Sequence, residues 1–284
     1  MCIFVCQIKD IKKNLLALFC LGVILTGCST EFNQVYKSTD YDYKYEAAKQ
    51  FFAMGSYTRA TSLLEDLVTI TKGTDHAQEC LYMLAMSEYC MHDYETASDY
   101  FKKYCSSYPR GYYAEEARFY IGQALYMSTP EPRLDQSRTI SAMTTTQEFM
   151  DMYPDSRLKT AAQNKLLVLQ DKLVEKELMS ATLYFNLGNY FGNCSNGGSN
   201  FTSCIITAQN ALKDYPYTQK REEFSLLIMK GKFGLAEQSV EDKKLDRYRD
   251  AEDECYGFIN EYPDSQNKKL AEKYIALCKK YTKD

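Results

Sequence analysis

Apolar and small residues recur along this chain at two spacings, a short helical one and a long one. Ala48, Phe51, Tyr57, Ala60 and Leu64 punctuate polar sequence at the steps of a helix face. Thirty-seven residues on, Ala85, Tyr94, Ala97 and Phe101 stand where Ala48, Tyr57, Ala60 and Leu64 stood. The short spacing predicts amphipathic helices, and Gly55-Ser56 between two of them predicts a hairpin. The long spacing has its own punctuation: Tyr-Pro falls at Tyr108-Pro109, Tyr153-Pro154, Tyr215-Pro216 and Tyr262-Pro263. A proline just past a helix end stops it. Twelve residues before each proline stand Ala97, Ala142, Cys204 and Ala251, all small. Five before each stand Tyr104, Phe149, Ala211 and Phe258, mostly aromatic. A small residue lets two helices cross closely, and a large one fills the space beside the crossing.

The Tyr-Pro marks lie 45, 62 and 47 residues apart, so some repeats carry extra sequence. In the third, Ile121-Gly122 follows Leu84-Ala85 by 37, and the excess falls at Ser128–Asp135 with Pro130 and Pro132. In the fourth, Ala181, Tyr184, Gly188 and Tyr190 each follow Ala48, Phe51, Gly55 and Tyr57 by 133, and the excess is the Gly-rich stretch Phe191–Phe201. Leu158–Lys176 predicts a long amphipathic helix between the two. The fifth repeat, about 221–263, has a charged insert at Glu241–Arg249, and Gln266–Lys280 predicts a capping helix. The pattern resembles the tetratricopeptide repeat. The expected fold is therefore an all-α tetratricopeptide-repeat superhelix of about five helix pairs plus a C-terminal capping helix. Repeats 1–3 would occupy residues 41–157, and the long helix, repeats 4–5 and the cap residues 158–284.

The first 40 residues differ. Lys9, Lys12 and Lys13 precede an apolar run, Leu15–Leu25, of 11 residues, too short for a bilayer core that needs about 20. Leu25-Thr26-Gly27-Cys28 follows and resembles the lipobox of bacterial lipoproteins. That resemblance implies a signal peptide over 1–27, acylation of Cys28 by fatty chains such as palmitate, and anchoring by several buried chains. A plain secretory signal cut elsewhere, or a buried strand, is the competing reading. Ser29–Asp40 is polar and reads as a tether (28–40 with its lipidated cysteine) able to reach about 40 Å.

One residue past the packing positions of each first helix, side chains turn about 100° toward another surface. Tyr45, Tyr82 and Phe119 form one row there, and Phe52, Tyr89 and Tyr126 a second, the members of each 37 residues apart. In tetratricopeptide proteins such positions line the groove. Six rigid rings with polar tips would suit an extended apolar or aromatic-ended peptide. The same rings would otherwise fill the contact with the neighbouring helix; recurrence across three repeats favours the groove.

Composition narrows the chemistry. The chain has 284 residues, 25 Tyr, no Trp, 2 His and a net charge of −4. Without residues 1–27, 31 basic side chains face 37 acidic ones, net −6, so there is no basic footprint for nucleic acid. With two histidines and no nucleophile, P-loop, zincin or dinucleotide motif, no catalytic, metal or cofactor site is expected, and no enzyme activity. His92 lies near Cys90, but two residues apart on a helix they do not face each other. Seven cysteines remain after Cys28, an odd number without a CxxC. Most behave as small apolar residues; Cys194 and Cys204 flank the Gly-rich stretch and could be bridged or unpaired.

A lipobox followed by about five such repeats resembles the BamD family of outer-membrane β-barrel assembly lipoproteins. The most specific stretches are Ala161–Tyr190 and LKDYPYT at Leu212–Thr218. The resemblance implies a lipid anchor in the outer membrane facing the periplasm. It implies binding of a BamA-type insertase, through the later repeats, alongside other assembly-complex lipoproteins. The early repeats would receive unfolded outer-membrane proteins. The Phe191–Phe201 insertion and the Cys-rich helices depart from the family pattern. One alternative is another periplasmic tetratricopeptide scaffold lipoprotein serving cell-envelope enzymes. A SusD-type nutrient binder is disfavoured by the absence of Trp and by the short chain.

Overall fold

The computed structural model describes residues 32–74, 76–188 and 199–282. Among them there are helices and turns but no strand. After a short helical segment at residues 32–37, eleven helices follow one another among the described residues from Tyr41 onward. They are α1 Tyr41–Ala53, α2 Tyr57–Ile70, α3 Ala77–Cys90, α4 Tyr94–Ser107, α5 Ala114–Met127, α6 Ser137–Met152, α7 Lys159–Leu187, α8 Asn200–Asp214, α9 Arg221–Glu237, α10 Glu241–Glu261 and α11 Lys268–Thr282. Consecutive helices pack in pairs, the tetratricopeptide arrangement.

The described residues divide into two compact units, one within residues 32–128 with 144–162, the other within 129–143 with 163–282. In the first, α1 to α5 pack each on the next, and α1 also meets α3. Hairpin entries are capped: Asp40 accepts the Tyr43 N–H and Asp93 the Thr96 N–H, satisfying donors a helix start leaves open. Gly55 turns the first hairpin at φ +74, a conformation without penalty only for glycine. In the second unit, α8 to α11 pack in sequence. The Phe201 ring is wedged between Gly188, at the end of α7, and Gly234 of α9, where any side chain would strike it.

The positions marked by the Tyr-Pro spacing form the core. Ala97, Ala142, Cys204 and Ala251 are fully buried, and Tyr104, Phe149, Ala211 and Phe258 nearly so. Each helix before a Tyr-Pro ends alike. The tyrosine N–H donates to the carbonyl four residues back, at 2.8–2.9 Å, and the next proline bars its tyrosine from helical ψ. Ser156 and Ser265 then close the turn. Each accepts a backbone N–H two residues on and donates at 2.6 Å to a carboxylate on the first helix of its repeat, Glu115 and Glu222 respectively.

Local readings are refined at four places. Residues 32–37, placed in the tether, are helical: Val35 is buried with Tyr45, Ala48 and Leu63, because Phe32 and Val35 lie three apart and share a face. The charged insert Glu241–Arg249 is helical and opens α10; Glu241 and Lys244 pair at 3.0 Å, three residues apart, which supports the helix, and Tyr248 is buried in the core. The predicted long helix does not end at Lys176 but runs to Leu187, since no Gly or Pro interrupts it. Cys204 carries a free, buried thiol whose sulfur lies 3.9 Å from the Leu227 carbonyl oxygen. Cys194 and all but the end of the Phe191–Phe201 stretch lie outside the described residues, as do the signal segment and Cys28.

Candidate functional site

All six predicted rings lie in the first unit, on α1, α3 and α5, and the two rows have different environments. In the first row Tyr45 is 4% exposed. Its ring lies 4.1 Å from that of His76, and its hydroxyl donates to the Glu79 carboxylate. Tyr82 repeats this one hairpin later. It stacks on Tyr113 at 4.3 Å and 10° and donates to Glu116 at 2.8 Å. Burial, then the facing carboxylate, holds both phenols well above their usual pKa. His76 and Glu79 recur as Tyr113 and Glu116, 37 residues on. Phe119, which has no hydroxyl, instead meets Phe149 edge-on at 5.4 Å. Tyr45 and Tyr82 thus reach from one first helix to the start of the next and tie successive repeats together.

The second row is half-buried throughout, as are Tyr82 and Phe119 of the first; the rows differ in what their rings meet. Phe52 meets Tyr57 edge-on at 5.8 Å, and Tyr89 meets Tyr94 the same way at 5.4 Å. In both hairpins, then, the ring near the end of the first helix is steadied by the opening tyrosine of the second. Gln123 Nε2 donates to the Tyr89 hydroxyl at 3.0 Å, and Tyr120 meets that ring at 5.3 Å. Tyr126, next to the end of α5, completes the row. Phe52 and Tyr89 therefore combine fixed ring orientation with partial solvent access.

Sequence reasoning missed the partner residues. Glu79 and Glu116 follow their tyrosines by 34, and Gln123 follows Tyr89 by the same interval. That offset was there to be read, as was the recurring Tyr-Pro-Asp-Ser. It also missed a recess of about 650 Å³ lined by Tyr112, Glu115, Glu116, Tyr153, Ser156 and Arg157, because loops distant in sequence build it. Its polar lining overlaps the Tyr82 partner Glu116 and the Ser156 partner Glu115.

Among the described residues no helix is long and apolar enough to cross a membrane, and no cluster of three His, Cys, Asp or Glu side chains is placed to hold a metal ion. The arrangement offers surfaces for binding. No curated protein matches the chain. The family model YfiO, outer membrane lipoprotein, matches residues 38–233, a span that runs from the start of the first hairpin into α9 and includes all six rings. The chain belongs to this family, the BamD family of outer membrane lipoproteins.

Proposed function

We propose that this lipoprotein is a non-catalytic subunit of the outer-membrane β-barrel assembly machinery, anchored at Cys28 and facing the periplasm. Its first three repeats receive unfolded outer-membrane proteins, and its later repeats hold a BamA-type insertase. Membership of the family supports the place in the machinery. The second ring row supports the substrate assignment: Phe52, Tyr89 and Tyr126 recur and are half-buried, and Phe52 and Tyr89 are held by neighbouring side chains. Rings oriented before binding lose little freedom on contact with an extended chain. Phe119 borders this row. Tyr45 and Tyr82 act beneath it, as ties that keep the spacing of successive repeats.

Depletion of the protein followed by measurement of folded outer-membrane barrels tests the role. A fall in folded barrels is expected. Unchanged levels would reject it and favour a scaffold for other envelope enzymes. For the groove, Tyr89→Ala is the more direct change, because it removes a half-buried ring without stranding a carboxylate as loss of Tyr82 would strand Glu116. Binding of a barrel-derived C-terminal peptide should weaken about tenfold, the equivalent of about 1.4 kcal/mol. Normal affinity with a folded chain would return Tyr89 to a purely internal role.

A further inference from the structure

We propose that the α1–α2 turn, with Met54 at its tip, rests on the lipid surface that holds the anchor. The proposal builds on acylation of Cys28 and adds an orientation to it. Only four residue steps separate Cys28 from Phe32. Fully extended, they span at most about 14 Å.

Phe32 is fixed to the body of the protein. Its ring meets Phe51 edge-on at 5.7 Å, and the Arg59 guanidinium lies 5.9 Å from it. Phe51 belongs to the turn: its carbonyl accepts the Ser56 N–H at 2.8 Å, and Gly55 closes the reversal. The chain therefore leaves the folded unit beside the α1–α2 turn. The residue bearing the fatty chains stays within about 14 Å of that point.

The chemistry of the turn suits a headgroup boundary. Met54 is 70% exposed and is flexible and apolar. From Lys49 to Leu64 there are two basic residues and no acidic one, so anionic lipid meets no repulsion from this segment. The next hairpin shares the edge, since the Thr58 hydroxyl reaches the Met91 sulfur at 3.5 Å. Met91 there follows Met54 by 37. Asp93, the acidic residue of that second turn, is engaged in capping Thr96. The opposite edge of the unit is out of reach. Tyr112, 90% exposed, lies beyond the far end of α4, whose 14 residues rise about 21 Å.

The test uses the full lipidated chain in phosphatidylethanolamine/phosphatidylglycerol vesicles. A photoreactive benzoylphenylalanine replaces either Met54 or Tyr112, and lipid adducts are read by mass spectrometry. Lipid capture should be several-fold stronger from position 54. A long Gly/Ser insertion between Glu31 and Phe32 should abolish that excess while flotation with the vesicles persists. Equal capture from the two positions in a chain that floats would overturn the orientation alone. Flotation undiminished by Cys28→Ser, or a Cys28 without acyl mass, would overturn the anchoring reading and the orientation with it.

Discussion

Replacing Gly234 by alanine should destabilise the second unit, and the sign should reverse once Phe201 is removed. In the native packing a Cβ on Gly234 would come within 2.7–3.0 Å of three Phe201 ring atoms, and one on Gly188 within 2.5–2.7 Å of the same ring. The ring cannot swing away from one glycine without striking the other, so α9 must shift instead. Overpacking of this kind costs about 1–3 kcal/mol. Alanine inside a helix recovers about 1 kcal/mol over glycine. The net loss for Gly234→Ala is therefore about 0–2 kcal/mol. Phe201→Ala alone should cost about 3–5 kcal/mol, as a buried ring does. In that background the new methyl meets open space, and Gly234→Ala should gain up to about 1 kcal/mol. The coupling between the two sites is then about 1–3 kcal/mol. Urea unfolding of the lipid-free mature chain by circular dichroism measures the four stabilities. Hydrogen exchange over α7 to α9 localises the change, which matters because a chain of two compact units need not unfold in one step. Effects that add within about 0.5 kcal/mol would refute the wedge.

Glu88 is buried in α3, and burial, then Asp93 of the α4 cap and Glu65 of α2, raises its carboxyl pKa; Tyr100 of α4 faces it as well. The folded chain therefore holds this proton to higher pH than the unfolded chain, so stability falls as pH climbs from the ordinary carboxylate value through the raised one. Glu88→Gln should stabilise the protein at neutral pH and flatten that slope in melting curves; a less stable variant at pH 7 would contradict the assignment. His92 sits at φ +66, in the place Gly55 fills one repeat earlier at φ +74. His92→Gly should stabilise by about 0.5 kcal/mol, release of left-handed strain outweighing the lost contact with Tyr94 and the added unfolded-state freedom; a lower melting temperature would count against this. Burial pushes the thiols of Cys80, Cys204 and Cys278 up to about 11 and that of Cys255 up to about 12. Iodoacetamide at pH 8 should label half-buried Cys90 before any of these four, and equal labelling of Cys255 in the native chain, seen by peptide mapping, would refute their burial.

The sequence made the repeat legible because its signals are local. A proline ends a helix wherever it falls, and a small residue at a fixed distance before it marks the crossing, so Ala97, Ala142, Cys204 and Ala251 could be placed in the core without knowing their neighbours. What escaped was set by partners elsewhere. Residues 32–37 mix Phe32, Val35 and Tyr36 with polar side chains, and only Phe51, Arg59 and the core around Val35 reveal that they dock. Glu241–Arg249 is charged but for Leu245 and Tyr248, which hid a helix anchored by buried Tyr248 and held partly by its own charge pairs. The recess beside Tyr112 joins loops some 40 residues apart and has no linear pattern.

The ring rows illustrate the same limit and suggest why both exist. A 37-residue recurrence of tyrosine states that each repeat needs a ring there, but not what the ring meets. The answer lies in a second recurrence, the carboxylates Glu79 and Glu116 and the flat partners His76 and Tyr113. A stack of helix pairs has contacts only between neighbours, so the distance between successive first helices depends on what spans each interface. Tyr45 and Tyr82 span the first two. Rings displayed on those helices can act together on one extended chain only if that distance is held. The two rows therefore divide by what their polar tips hold: Tyr45 and Tyr82 donate to carboxylates at the start of the next first helix, whereas Tyr89 accepts from the neutral amide of Gln123 and Phe52 has no hydroxyl, so the first row ties the stack by charge-assisted bonds and the second holds it more loosely.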